Sequence, residues 1–341
     1  MDTPPDPSQI LQTAFAFWNS KVLLTAVEMG LFSRLGDRRL TGAELGSELA
    51  LHPRGIKDFF DALVAMKFLD RDGDGPQARY LNTPAGAMYL DEKSPRYIGG
   101  ILTMLNVRLF KFWHDLPEAL RTGRPQNETK HNQKSIFEEL YLDPAKLEIF
   151  LNAMTGLSRL NFEAFAAKFD FSRFKTLCDI GGATGLLCIE VARRHPHLTC
   201  VSWDLPEVEP IARKSIAAAG LSSRVSTASG DFFVDALPGA DLITMGMILH
   251  DWNLHKKMHL IRAAYNALPP GGALVAIENV IDDARRQNVF GLLMSLNMLI
   301  EFGEAFDFSG ADFSDWCGQV GFKRCEIIHL AGPCSAAIAY K

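Results

Sequence analysis

The chain has 341 residues, 48% of them hydrophobic, which is enough for two domains with substantial cores. Its 35 basic and 40 acidic side chains give no global attraction for nucleic acid or an anionic membrane, and no apolar run approaches the roughly 20 residues that span a bilayer. The six cysteines contain no Cys-x-x-Cys pair, so neither a zinc site nor a disulfide framework is suggested, and a reduced cytoplasmic compartment is the expectation.

The acidic, proline-rich start, Met1-Asp-Thr-Pro-Pro-Asp-Pro, is unlike a secretory or mitochondrial signal. Residues 10–35 then carry Phe15, Trp18, Leu23, Val27 and Leu31 at helical spacing. They are more apolar than one exposed helix face needs, which fits either a core helix or one buried against a second subunit. Thr41, with Glu44 at the capping-box position, predicts a helix that ends near Ala50. His52-Pro-Arg opens another, running through Ile56, Phe59, Leu63 and Met66 to Phe68. The turn at 70–75 and a strand-like 79–82 complete a winged-helix-like pattern. Its would-be recognition helix sets Asp58 and Asp61 against Arg54, Lys57 and Lys67, so a packing or dimerisation module is the better reading than DNA binding.

Residues 98–169 read as helical, with breaks at Gly123-Arg-Pro125 and Asp143-Pro144. Their aromatics, Phe110, Phe112, Trp113, Phe137 and Tyr141, fit a core or the wall of an apolar pocket. From about residue 172 the pattern changes. Strand-like runs at 175–180, 199–204, 224–229, 240–246 and 273–278 alternate with helical segments, which predicts a doubly wound, mainly parallel sheet. A helix at 312–321 and two final strands able to pair as an antiparallel hairpin follow.

Ligands of such sheets bind at the carboxyl ends of the strands. There the first strand ends in Asp179, followed at once by Gly181, Gly182 and Gly185, whose missing Cβ allows a tight turn and a close ligand. Asp204, next to Leu205, ends the second strand and could hold a ribose diol, because a carboxylate accepts from two vicinal hydroxyls. Asp231 with Phe232 follows the third and could flank an adenine; His250-Asp-Trp follows the fourth. Each acid alone would be an ordinary cap or turn residue.

The ordered segments Asp179-Ile-Gly-Gly-Ala-Thr-Gly, Asp204-Leu-Pro, Gly230-Asp-Phe-Phe, Leu249-His-Asp-Trp and Leu268-Pro-Pro-Gly-Gly are similar to those of the S-adenosylmethionine-dependent small-molecule O-methyltransferases of the caffeate and acetylserotonin type. The resemblance covers nearly the whole chain. It implies a Rossmann-like class I methyltransferase domain at 171–341, a winged-helix-like dimerisation domain at 1–97 and a helical linker at 98–170 that contributes to the substrate pocket. It also implies a homodimer whose partner helps close each pocket, and S-adenosyl-L-methionine as cofactor. By the same resemblance Gly181, Gly182 and Gly185 approach the methionine part of the cofactor, with Asp179 and Leu205 beside them; Asp204 holds the ribose, and Asp231 with Phe232 the adenine. His250 falls on the general base, Glu278 on the acid that orients it, and Asp307 near the family's second orienting glutamate. The lysine that holds the adenine in the plant enzymes is replaced at about Gly246, so a plant-like pocket does not follow.

The acceptor atom stays open at this point. A hydroxyl of a small, aromatic molecule needs a base, which His250 supplies. A thioether hydroxy acid such as 4-methylthio-2-hydroxybutyrate, the route to dimethylsulfoniopropionate, needs none, only orientation and a clamp such as Arg108 or Arg121. A non-catalytic, cofactor-binding regulator is the third reading. Trp18, Asn19, Trp113, Tyr141, Met294, Asn297 and Met298 are the candidate lining residues. No metal is expected, because His250 and Asp251 would need a third ligand, and Asn297 and Met298 stand where a histidine would help.

Overall fold

The structure, a computed structural model, describes residues 5–131 and 143–341. These fall into two units divided between Lys111 and Phe112. The first unit opens with helix α1 (Ser8–Glu28) and the short α2 (Leu31–Leu35). They replace the single helix expected over 10–35, because Gly30 between them takes the left-handed φ of 66° and breaks the run. Only the second half of α1 enters the core, through Leu24, Ala26 and Val27. In its first half Ile10, Leu11, Phe15, Phe17 and Trp18 are exposed.

Strand β1 (Leu40–Thr41) leads into α3 (Gly42–Glu48) and α4 (Pro53–Ala65); β2 (Leu69–Asp72) and β3 (Arg79–Asn82) complete an antiparallel sheet of order β1-β3-β2. This is the expected winged-helix-like arrangement, closed over Leu31, Phe32, Leu45, Phe60, Leu63 and Tyr80. Helix α4 stops at Ala65, three residues short of the expected Phe68, since Lys67 adopts a φ of 67°. Three of its charges, Arg54, Asp58 and Asp61, are paired within the unit. Arg54 meets Asp58 at 2.5 Å, and Asp61 takes both Arg71 at 2.7 Å and the Tyr80 hydroxyl at 2.8 Å.

At the start of α3 the capping box is complete. Thr41 Oγ1 accepts from the Glu44 N–H at 3.3 Å, and Glu44 Oε2 accepts from the Thr41 N–H at 2.8 Å. Thr41→Ala removes the cap, with an expected loss of about 1 kcal/mol. Urea unfolding followed by circular dichroism checks this; an unchanged midpoint would show that the cap contributes nothing.

After the short α5 (Pro84–Tyr89) and α6 (Gly99–Met104), the second unit carries α7 (Leu116–Thr122) and the long α8 (Pro144–Lys168). The expected break at Gly123 is present, with φ at 64°, and Asp143 and Pro144 start α8. Phe137 and Tyr141 lie outside the described residues. The remainder is a seven-stranded sheet built from β4 (Thr176–Ile180), β5 (Thr199–Asp204), β6 (Val225–Ser229), β7 (Leu242–Gly246), β8 (Ala273–Glu278), β9 (Arg324–His329) and β10 (Ser335–Tyr340). Its order is β6-β5-β4-β7-β8-β10-β9, with β4 to β8 parallel and β10 antiparallel to both neighbours.

The central parallel strands β4, β7 and β8 are largely apolar on both faces, as burial between two layers requires, whereas the edge strand β6 is mostly polar. Leu177, Cys200, Leu242 and Val275 fill one core, while Cys178, Ile243, Met245 and Leu274 fill the other. The crossovers are α9 (Leu186–Arg194), α10 (Glu209–Ala218) and α11 (Leu254–Ala267), and β8 is followed by α12 (Val289–Phe302) and α13 (Gly310–Val320). Strand order reverses between β4 and β7, so a crevice opens there at the carboxyl ends.

Candidate functional site

Beyond β4 the N–H groups of Gly181 and Gly182 both donate to the Trp203 carbonyl, at 2.9 and 3.1 Å, which folds the chain back over the end of β5. Gly181 has a φ of 69°, and a Cβ there would meet Ile248. A Cβ on Gly182 would strike Ser202 Oγ, a buried hydroxyl without a hydrogen-bond partner among the described residues. Gly185, φ 77°, precedes α9 and offers no side chain to cap it, so first-turn N–H groups are left for a ligand.

Asp204, half-buried, spans this turn. Its Oδ2 accepts from the Ala183 N–H at 2.8 Å and its Oδ1 from the Leu205 N–H at 2.7 Å. Burial raises its pKa, while these two donors pull the other way. Each oxygen retains a lone pair for a vicinal diol. Asp179 is fully inside: it accepts from Thr244 Oγ1 at 2.7 Å, and burial pushes it up to about 7. Asp231 accepts from the Phe233 N–H at 2.8 Å, and the Phe232 ring stands edge-on to Trp252 at 6.0 Å. A narrow glycine turn, a diol-ready carboxylate and an aromatic flank fit the nucleoside that the sequence resemblance implies. A Cβ on Gly246, at the end of β7, would press on the Phe162 ring, so no longer side chain fits there without displacing it.

At the end of β7, Met247 takes a φ of 56°, and the chain turns through Leu249–Asp251. This turn holds His250, 5% exposed. Glu278, at the end of β8, accepts the N–H groups of Ile248 at 3.2 Å and Leu249 at 2.9 Å. It therefore grips the backbone that bears the imidazole. His250 Nδ1 lies 3.6 Å from Asp307 Oδ1, an ion-pair distance too long for a hydrogen bond, and Nε2 lies 3.3 Å from Asp251 Oδ1. The Asp307 side chain is 1% exposed and that of Asp251 30%, so one edge of the ring faces a fixed acid and the other an accessible one.

Burial alone would depress the imidazole's pKa, but the attraction of Asp251, Glu278 and Asp307 outweighs it and holds His250 up at about 10. Burial pushes Glu278 up to about 7. His250 Nδ1, Glu278 Oε2 and both Asp307 oxygens are buried without hydrogen-bond partners among the described residues. One ligand atom from each residue lies within 4.8 Å of the others, a donor set that chemistry would also allow around a cation.

Lys257, which the sequence reading missed, is fully buried against the same cluster. It shares the buried face of α11 with Leu260, Ile261 and Ala264, so a lysine inside that apolar stripe was the signal. Helix α12 packs against the His250 turn. It places Met294, Asn297 and Met298 on one face, and the Trp113 indole N–H donates to Asn297 Oδ1 at 2.9 Å. Trp18 and Asn19 belong to the first unit, exposed on α1. Arg121 is exposed in the last turn of α7, and Arg108, a residue of the first unit, is half-buried.

Comparison with known proteins adds a second line of observation. A family model described as the O-methyltransferase domain matches residues 113–323, and one for the O-methyltransferase dimerisation domain matches 11–92. The tetracenomycin polyketide synthesis 8-O-methyl transferase of Streptomyces glaucescens is 37% identical over 335 residues, 98% of this chain and 97% of that one. An N,N-dimethyltransferase of Streptomyces rimosus is 33% identical, covering 92% of this chain and 90% of its own length. Human N-acetylserotonin methyltransferase, solved in complex with SAM, superposes with a TM-score of 0.89 at 28% identity over 100% of this chain and 99% of that one.

Proposed function

This chain belongs to the S-adenosylmethionine-dependent O-methyltransferase family, and from that premise we propose that it methylates a hydroxyl of a small aromatic acceptor with His250 as general base. The observation that carries the reading is the buried His250, faced by Asp307 on Nδ1 while Glu278 holds its turn. Transfer to a thioether would need no such base, and a regulator would need no imidazole at all.

S-adenosylmethionine supplies an activated methyl on a sulfonium. The residues proposed to hold it are the turn at Gly181, Gly182 and Gly185 with Asp179 beneath, Asp204 and Leu205 for the ribose, and Asp231 and Phe232 for the adenine, a reading supported by the geometry of the turn and of Asp204. Trp113, Met294, Asn297 and Met298 are proposed to line the acceptor side. Linear alignment of hydroxyl and methyl is most of the remaining work. Asp307, 3.6 Å from Nδ1, orients the ring by its charge, and Nε2, beside the more accessible Asp251, takes the hydroxyl proton as the bond to carbon forms.

We further read the protein as a homodimer formed through its first unit, whose α1 exposes Phe15, Phe17 and Trp18. The linker at 98–170 would contribute to the pocket. Among the described residues no helix is long and apolar enough to cross a membrane, and six free cysteines suit a reducing, cytoplasmic setting.

A base must be neutral to act. Since the carboxylates hold the imidazole above its ordinary value of about 6.5, kcat/KM for the cofactor is expected to keep rising with pH beyond neutrality. In kcat the same limb should lie lower, because His250 gives up its proton more readily with a second positive charge beside it. The test incubates the protein and S-adenosylmethionine with phenols, aromatic amines and a thioether hydroxy acid across a pH series, locating the new methyl by mass spectrometry. Methyl on oxygen with this rising limb is the expected result. Methyl on nitrogen or sulfur, or a flat profile, would overturn the proposal.

A further inference from the structure

Two residues of the proposed base pair sit on irregular backbone: His250 in the turn after β7, and Asp307 in the connection between α12 and α13. Lys257 reaches both connections from the first turns of α11. Its ammonium donates to the carbonyl of Trp252, two residues past His250, and to that of Phe306, next to Asp307, at 2.8 Å. It also lies 3.7 Å from the centre of the Phe306 ring. The far side of the second connection is tied to the sheet margin by the Ile281 N–H on the Phe308 carbonyl at 2.9 Å. On the near side, the Asp307 N–H donates to Ser295 Oγ at 3.2 Å, and at the exposed margin Asn253 Nδ2 donates to Glu304 Oε2 at 2.7 Å, a solvent-facing tie between the same two segments.

We propose that Lys257 is a positioning residue that clamps the His250 turn to the Asp307 connection and so sets the spacing of the base and its orienting acid. The inference rests on the proposed general-base reading. A lysine with no exposed surface would be costly unless its charge and its donors were matched. Here two carbonyls and a ring face take the donors. The charge is matched by Asp251 from the turn, Glu278 from β8 and Asp307 from its connection, with His250 as the other cation of the cluster. Burial draws the amine down to about 8 against the pull of these acids, which leaves it an ammonium at neutral pH.

Lys257→Met keeps the apolar stem and removes the donors and the charge. Hydrogen exchange read by mass spectrometry should then quicken in peptides covering 248–253 and 303–309 and stay unchanged in β4, β5 and the first unit. In turnover, kcat should fall roughly 10- to 100-fold with the acceptor KM within about threefold, the pattern of lost alignment. The acid limb should move to higher pH, since removing a cation favours protonation of each remaining group. Lys257→Arg, which keeps charge and donors, should restore most of the limb.

Exchange that is unchanged in those two segments, or faster throughout the protein, would overturn the clamp. So would a kcat within twofold of wild type. Because exchange is read without turnover, localised loosening in a protein that shows no His250-dependent limb would retain the tie between the two connections. In that event the general-base reading alone would fail.

Discussion

His250→Ala is expected to lower kcat by roughly 10²- to 10⁴-fold, the usual worth of a positioned proton acceptor, with little change in cofactor affinity. The imidazole faces Asp307 on one edge and Asp251 on the other, whereas the proposed cofactor groups lie on the neighbouring strand ends. Its removal deprives Asp251 and Glu278 of the imidazolium's attraction, so protons should enter these two carboxyls more readily. A single-turnover assay with saturating cofactor isolates the chemical step. His250→Gln, which retains bulk without basicity, should be equally slow but fold more stably. A variant within tenfold of wild type would mean that the acceptor sheds its proton to solvent and that His250 only orients it.

Asp204→Ala is expected to weaken S-adenosylmethionine binding by about 10²- to 10⁴-fold, since hydrogen bonds to a charged group contribute about 1.5–3 kcal/mol each and two are in question. The carboxylate also holds the glycine turn, through the N–H of Ala183, a residue at φ 49°. Its loss therefore removes both the diol's acceptor and the brace of a strained loop. Asp204→Asn, which keeps one accepting oxygen, should fall between the two. Titration calorimetry gives the order directly, and equal affinities for wild type and Asp204→Ala would remove the ribose from this position.

The sheet was legible because its strands are apolar runs of five or six residues separated by helical spacings, and its carboxyl ends were legible because acids and glycines punctuate those runs. The charge cluster was legible in part. His250 and Glu278 sit directly at strand ends, but Asp307 comes from an irregular connection whose course no periodicity fixes; the structure brings it to 3.6 Å from the imidazole. Lys257 was passed over because a lysine in an amphipathic helix is ordinarily solvated, and only the closing of two distant connections over it makes the interior polar enough to accept it. The run at 10–35 looked like one helix since hydrophobic spacing continues through Gly30, and the left-handed φ that ends α1 has no signature in spacing.

The place of β10 bears on how the protein is made. Residues 335–340 lie between β8 and β9, so the strand of this sheet that is synthesised after all the others is an interior one. A ribosome working at about 5–20 residues per second would release the complete first unit well before the second, leaving the unpaired edge of β8 exposed for roughly 3–12 s between the emergence of β8 and that of β10. During that interval the exposed ladder is a template for neighbouring nascent chains. Translation speed and chaperone access, more than the stability of the finished fold, should thus govern how much active protein a cell accumulates.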